Sequence, residues 1–304
     1  MQVKYIGFIS EIGYFVLLIY ILVNLIFYKK TLNKKLTNMN KNEKQMLEIL
    51  KNGKEHFNFL GIKAEFEAEG TRFDEMSRLI EITRKANLNL GIKIGGCEAV
   101  TDLYHTKLLG AEYIIAPMIE TSYALQKYIE AKNKVYNEEE REDVRFLFNL
   151  ETITAYNNLD SIIKQAAVKN GANGIVFGRV DFVGSMGFSR EKISSGEISD
   201  HIKNVASRCK EVNFDFVVGG AVSNETIESV KEANKVYLTR FETRKIIFDS
   251  KALNLEEKNI NKALELAVKF ELLWLQNKQN YYTQIAAEDS QRISMLSKRF
   301  ENFN

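Results

Sequence analysis

Two acidic residues, Glu151 and Asp181, each follow a strand-like run in the segment 144–190, VRFLFNLETITAYNNLDSIIKQAAVKNGANGIVFGRVDFVGSMGFSR. In the first run Phe146, Phe148 and Leu150 alternate with Leu147, Asn149 and Glu151, so Asn149 and Glu151 share a face. A helical run follows, with Leu159, Ile162, Ile163, Ala166 and Ala167 on one side and Asn170-Gly171 as its stop. The second run, 174–177, is short and apolar and leads into Gly178-Arg179-Val180-Asp181. A strand, a helix and a strand of this length make a parallel crossover, so both strand ends open on the same edge. Two carboxylates meeting there are hard oxygen ligands suited to Mg²⁺ or Mn²⁺. The alternative for acids so placed is a pair of helix N-caps. Gly178 and the backbone N–H groups around Val180 and Asp181 can form a nest for a carboxylate.

Lys63, Glu65, Lys93, Asn149 and Glu151 all occupy alternate positions opposite the most apolar face of their strands. Charges are expensive inside a core unless paired, so such a set marks either a site or a buried ion-pair network. Lysine and arginine beside a divalent metal favour a small anionic substrate, because they grip carboxylate or phosphate while the metal polarises a carbonyl. Arg72 or Arg240 is expected to hold the distal anion, although Arg240 shares its face with Val236 and Leu238. Cys97, beyond Gly95-Gly96, reads as a small buried hydrophobe. The three histidines, His56, His105 and His201, lie in a pre-strand segment and on helices, away from the strand ends.

Positioning these residues requires a scaffold that gathers several strand ends. Strands are expected at 60–66, 90–94, 113–118, 145–152, 174–177, 214–220 and 235–241, with helices at 71–86, 98–109, 122–136, 159–169, 198–212 and 225–233. This alternation gives a parallel sheet with helices outside, an α/β fold of the TIM (β/α) barrel type, whose active sites form at the C-terminal strand ends. Only seven strands are evident, and the stretch before Leu60 is where the eighth is missing or atypical. Residues 255–300 read as a long helical tail with Leu264, Val268, Leu272 and Leu275 on one stripe, which packs on the barrel or pairs the subunits of a homo-oligomer.

The segments Asn149-Leu150-Glu151-Thr152 and Gly178-Arg179-Val180-Asp181-Phe182, followed by Gly184-Ser185-Met186-Gly187, resemble the HpcH/HpaI aldolase and citrate lyase beta family. The similarity extends more weakly over residues 60–249. It implies a (β/α) barrel that binds Mg²⁺ or Mn²⁺ through Glu151 and Asp181 and makes or breaks carbon–carbon bonds next to a 2-keto acid or thioester. It also implies that the nest at Gly178 and Val180 holds the carboxylate of pyruvate, and that Lys93 stands where the family has an arginine polarising the keto group. Members of the aldolase branch carry an acidic-His motif after an early strand; the matching stretch here, Ala64-Glu65-Phe66-Glu67-Ala68-Glu69-Gly70, has no histidine. Acid–base work then falls to Glu65 or Glu67, with a pKa raised by burial, or to a metal-bound water.

Composition agrees with a barrel enzyme and excludes some partners. The 304 residues suffice for one barrel of about 250 residues. Forty-two Lys and Arg against 40 Asp and Glu leave a formal charge of +2, with no basic patch for nucleic acid. Two cysteines make no disulfide framework, which suits a reducing cytoplasm. Residues 12–28, IGYFVLLIYILVNLIFY, are almost wholly apolar and are followed by Lys29, Lys30, Lys34 and Lys35. They read either as a membrane anchor tethering a cytoplasmic barrel to the inner face of the membrane, or as an upstream extension with the working start at Met39 or Met46. The expected divisions are a hydrophobic segment at 1–36, a linker and lead-in helix at 37–58, the catalytic barrel at 59–250 and a helical extension at 251–304. The function expected is a metal-dependent carbon–carbon lyase acting through an enolate. The alternatives are a non-catalytic barrel that binds or scaffolds, and phosphoryl transfer from phosphoenolpyruvate, for which no nucleotide-binding glycine motif speaks.

Overall fold

The computed structural model describes residues 39–303. The hydrophobic segment 1–36 therefore lies outside the described residues, and no described helix is long and apolar enough to cross a membrane. The first described element is helix α1 (Lys41–His56). Glu43 on α1 accepts from Arg78 Nε and Nη2, both at 2.8 Å, a two-pronged pair that fixes α1 to the next helix. The alternation that follows is β1 (Phe59–Glu65), α2 (Phe73–Lys85), β2 (Asn89–Lys93), α3 (Val100–Leu108), β3 (Tyr113–Ala116), α4 (Ser122–Val135) and β4 (Arg145–Leu150). It continues through α5 (Ile153–Asn157), α6 (Leu159–Ala166), β5 (Gly174–Gly178), α7 (Arg179–Ser185), α8 (Gly196–Glu211), β6 (Asp215–Gly219) and α9 (Ile227–Val236). Strands β7 (Arg240–Glu242) and β8 (Ile246–Asp249) and the 45-residue helix α10 (Glu257–Glu301) complete it.

The eight strands close in sequence order into a barrel. The first seven run parallel, but β8 pairs antiparallel with both β7 and β1. The eighth strand thus follows the others instead of preceding Leu60, which corrects the sequence expectation. A three-residue turn, Thr243-Arg244-Lys245, separates two short strands, too tight for a helical crossover, so the chain reverses as a hairpin. The expected strand at 235–241 is also displaced: Lys235 and Val236 complete the last turn of α9 and the strand begins at Arg240. Where β8 meets β1 the register shifts between Phe59 and Gly61. Leu60 there packs with the barrel interior instead of with Ile62, a β-bulge effect that strict alternation cannot show.

Two apolar layers result. The outward strand residues, including Ile62, Ile92, Phe148, Phe177, Phe216 and Phe248, are wholly buried under the helices. The inward residues Tyr113, Ile115, Leu147, Val176, Val217 and Ile247 fill the barrel's middle. Below them the first residues of the strands form a polar plug. Asp215 Oδ2 pairs with Arg240 Nη2 at 2.9 Å and Arg145 Nε at 3.0 Å, and the Arg240 guanidinium lies 4.6 Å over the Tyr113 ring. Arg240 therefore sits at the N-terminal end of the barrel, which corrects its expected role at the substrate. The C-terminal helix packs through a different stripe from the expected one. It buries Ile260, Ala263, Leu264, Ala267, Phe270 and Trp274, while Val268, Leu272 and Leu275 are more than half exposed.

A lysine is buried without a carboxylate in the helical layer. Lys132 on α4 donates to Asn133 Oδ1 and to the Asn170 carbonyl, both at 2.9 Å, and its ammonium lies 4.6 Å from the Phe146 ring centre. Burial, with Arg141 adding to it, lowers its pKa from 10.5 to about 8.

Two outcomes are expected. Between the folded value of about 8 and the unfolded 10.5 the unfolded chain binds more protons at Lys132, so this residue makes stability rise with pH across that window. Lys132→Met is expected to flatten that rise in urea denaturation and to stabilise the fold by about 1 kcal/mol at pH 7, the burial cost of the charge exceeding the lost cation–π contact. Arg240→Met is expected to cost about 2 kcal/mol of stability, less than for a fully abandoned buried partner because Arg145 still holds Asp215, and to leave the KM for any substrate unchanged.

Candidate active site

At the opposite, C-terminal end of the strands lies a cavity of about 770 Å³. Its floor is built by inward side chains above the apolar middle layer: Lys63 and Glu65 from β1, Lys93 from β2, Asn149 from β4 with Glu151 just past its end, and Glu242 from β7. The turn into α7 contributes Gly178, Val180 and Asp181, and α10 forms one wall.

Glu151 is held at both carboxylate oxygens. Its Oε1 accepts the Met118 N–H at 2.9 Å, and its Oε2 accepts from the Asn149 amide and stands 3.5 Å from Lys93 Nζ. The next residue, Thr152, turns outward, caps α5 through Ala155 N–H at 3.1 Å and donates to Glu120 Oε1 at 2.7 Å, which ends the strand and leaves Glu151 facing in. Gly178 makes the space: a Cβ there would lie 2.7 Å from Glu151 Oε2 and 2.8 Å from its Cβ. The Met118 N–H is presented by a strained residue, with φ +51°, and Ala221 on the same rim has φ +50°. Left-handed conformations in residues other than glycine or asparagine cost about 1 kcal/mol or more and concentrate at functional sites.

Lys93 pairs with Glu67 Oε2 at 3.1 Å as well as with Glu151. Burial opposes its charge, but Glu151, Glu67 and Glu65 outweigh that and raise its pKa, so it is a fixed ammonium. Lys63 bridges Glu242 Oε1 at 2.6 Å and Glu65 Oε1 at 3.4 Å, and these acids likewise outweigh its burial. Beyond them Glu69 is clamped by Lys245 and by Arg244 Nε at 3.0 Å; burial is overcome and its carboxyl is held below the usual range.

The geometry brings together Glu65, Glu67, Lys93, Glu151, Gly178, Val180 and Asp181 on one cavity. Arg72 and Arg240 are not on it. Arg72 flanks the start of α2 with its guanidinium 4.6 Å over the Tyr282 ring, and Arg240 belongs to the plug. Both are corrected as anion grips; the arginines that line the cavity are Arg190 and Arg244. Glu69, Glu242, Lys245 and Glu271 also line the cavity, and none of them was expected there from the sequence. The hairpin residues carried a usable signal, a short charged run, ETRK, between Phe241 and the apolar Ile246-Ile247-Phe248. None of the three histidines lines the cavity: His105 packs on Phe66 and Phe73, and His201 on Tyr156 and Phe182.

Among the described residues no group of three or more His, Cys, Asp or Glu is arranged to hold a metal ion. The donors present are nonetheless of one hard type: the Glu151 and Asp181 carboxylates and Asn149 Oδ1, a buried acceptor with no hydrogen-bond partner. Two carboxylates and an amide oxygen, with water or substrate filling the remaining positions, are a donor set that fits Mg²⁺ or Mn²⁺.

The buried Arg179 joins this rim to its neighbour. Its guanidinium donates to the Gly220 carbonyl at 3.0 Å, the Gly219 carbonyl at 3.3 Å and Ser229 Oγ at 2.6 Å, and burial lowers its pKa to about 10. Gly220, at φ +83°, lies so close that a Cβ would stand 2.9 Å from Val180 N and 3.0 Å from Arg179 N. Any side chain at 220 would therefore crowd the first N–H groups of α7.

Comparison with known proteins agrees with this architecture. Among curated proteins none matches the sequence. Among solved structures, an HpcH/HpaI aldolase from Desulfitobacterium hafniense DCB-2 superposes with TM-score 0.51 at 13% identity, over 69% of this chain and 84% of that one. An HpcH/HpaI aldolase/citrate lyase family protein from Burkholderia cenocepacia J2315 gives TM-score 0.51 at 13% identity, over 81% of this chain and 90% of that one. At such identities the likeness shows the barrel fold. The family model of the HpcH/HpaI aldolase/citrate lyases matches residues 78–245, more than half of the sequence, and with that the chain belongs to the HpcH/HpaI aldolase/citrate lyase family.

Proposed function

We propose that this protein is a carbon–carbon lyase that makes or breaks a bond next to the carbonyl of a 2-keto acid, through an enolate. The observation that carries the reading is Glu151, fixed by a backbone N–H and an amide on a cavity it shares with Asp181, with the Lys93 ammonium 3.5 Å away. Glu151, Asp181 and the unpartnered Asn149 Oδ1 would hold Mg²⁺ or Mn²⁺, which when bound supplies Lewis-acid polarisation of the keto oxygen. The N–H groups at Val180 and Asp181 orient the substrate carboxylate, and Gly220 keeps a side chain away from Val180 N. Lys93, held charged by Glu67 and Glu151, stabilises the oxygen on which negative charge develops. Arg190 and Arg244 take the place of Arg72 and Arg240 as grips for a distal anion.

A second reading is a barrel that binds such an anion without turning it over. The specific observation in its favour is that no histidine lines the cavity, while Glu65 and Glu67 are both tied to lysines. Under either reading the exposed apolar residues on the far half of α10, Ile285, Ile293, Leu296 and Phe300, suit pairing with a second copy.

Exchange of the methyl protons of pyruvate in D₂O, followed by NMR with added Mn²⁺, separates the two. Exchange is expected in the native protein. Glu151→Gln is expected to reduce it by about 100-fold or more while the circular dichroism spectrum stays unchanged. Undiminished exchange in that variant removes Glu151 from the mechanism, and inertness of the native protein toward a panel of 2-keto acids favours the binding barrel.

A further inference from the structure

Seven carboxylates line the cavity, and five of them are in ion pairs: Glu65, Glu67, Glu69, Glu151 and Glu242 each lie within 4 Å of a lysine or arginine nitrogen. Two have no hydrogen bond or ion pair among the described residues, Asp181 and Glu271. Asp181 is exposed at the start of α7 and belongs to the proposed metal site. Glu271 comes from a different element, the wall helix α10, which turns Val268, Glu271, Trp274, Leu275 and Lys278 toward the cavity at helical spacing. Lys278, the cation on that face, is committed elsewhere, 3.0 Å from Glu75 Oε2 on α2.

The surroundings of Glu271 are mixed in sign. Burial pushes its carboxyl up from the ordinary value; Lys245 and Arg244 on the hairpin pull it down, and Glu69 and Glu65 push it up again, leaving a net rise. Both hairpin cations already serve Glu69, so neither neutralises Glu271 outright. Glu271, Glu65 and Lys93 all line the same cavity, so the wall carboxyl shares it with the proposed oxyanion partner.

We propose that Glu271 is the general acid–base of this site. The assignment rests on the enolate reading above. As a carboxylate, Glu271 takes a proton from the carbon next to the keto carbonyl. The C–H electron pair becomes the enolate double bond, and the carbonyl π pair moves onto the oxygen beside Lys93. In the reverse step the neutral carboxyl returns the proton to the enolate carbon and the keto acid is restored. A group for this task must be free of a fixed cation, and the paired acids Glu65 and Glu67 are not. The position replaces, from a helix, the proton carrier that the strand-end sequence lacks.

Rates of pyruvate methyl exchange in D₂O with Mn²⁺, measured against pH for the native chain and Glu271→Gln, test this. The native rate is expected to fall on acidification through an apparent pKa above that of free glutamate, and Glu271→Gln is expected to lose at least about 100-fold together with that limb. Glu271→Asp is expected to recover part of the rate. Trp274, the chain's single tryptophan and three residues along the same helix, gives a second readout without metal: its fluorescence titration should be present in the native chain and absent in Glu271→Gln. An unimpaired rate in Glu271→Gln, or persistence of the acid limb or of the Trp274 titration, overturns the assignment alone. A native protein that exchanges no protons overturns the enolate reading and the assignment with it.

Discussion

Lys63 stands between Glu242 and Glu65, 2.6 Å from one and 3.4 Å from the other, and the open end of the barrel depends on that arrangement. Glu65 ends β1 and Glu242 ends β7, on either side of the antiparallel strand that closes the barrel. Two carboxylates brought together under little water repel, and each loses hydration; one ammonium shared between them offsets both costs. The same solution recurs beside it, with Lys93 between Glu67 and Glu151 and Lys245 against Glu69. The floor is thus a row of alternating charges, in which each ammonium offsets the repulsion between the carboxylates on either side of it.

The two ends of the barrel use charge differently. At the N-terminal end Asp215 is enclosed by Arg145 and Arg240 with Tyr113 beneath, a closed plug in which every group has its partner. At the C-terminal end, among the described residues, Asn149 Oδ1 has no hydrogen-bond partner, Asp181 and Glu271 make no ion pair, and Met118 and Ala221 hold left-handed backbone angles. Unpaired groups and strain cost stability, and they persist here because the outward Phe148, Phe177 and Phe216 are packed under helices, each contributing roughly 2–3 kcal/mol on burial. The barrel's stability is concentrated in its outer layer, and the mouth is left free for chemistry.

Helix α10 joins both roles. One face, from Ile260 to Trp274, is an ordinary packing surface, and Tyr282 and Lys278 fasten the helix to Glu75 on α2. The adjoining face supplies a wall to the cavity. A single helix therefore fixes the wall geometry from outside the barrel.

Much of this was already legible in the residues. Alternation of strand and helix spacing, the glycine at 178 and the acids at 151 and 181 determined a parallel barrel with a polar site at its C-terminal edge, because side-chain direction along a strand repeats every two residues and parallel crossovers bring strand ends together. Tertiary structure alone decided the closing hairpin, since a four-residue strand such as Ile246–Asp249 takes its direction from its neighbours. It also decided that Arg240 lies at the far end and Arg72 on Tyr282, that Val268 and Leu275 face the mouth instead of the core, and that Glu271 shares a cavity with Glu65 across more than two hundred residues of chain. Periodicity in a sequence says which residues share a face; only packing says what that face meets.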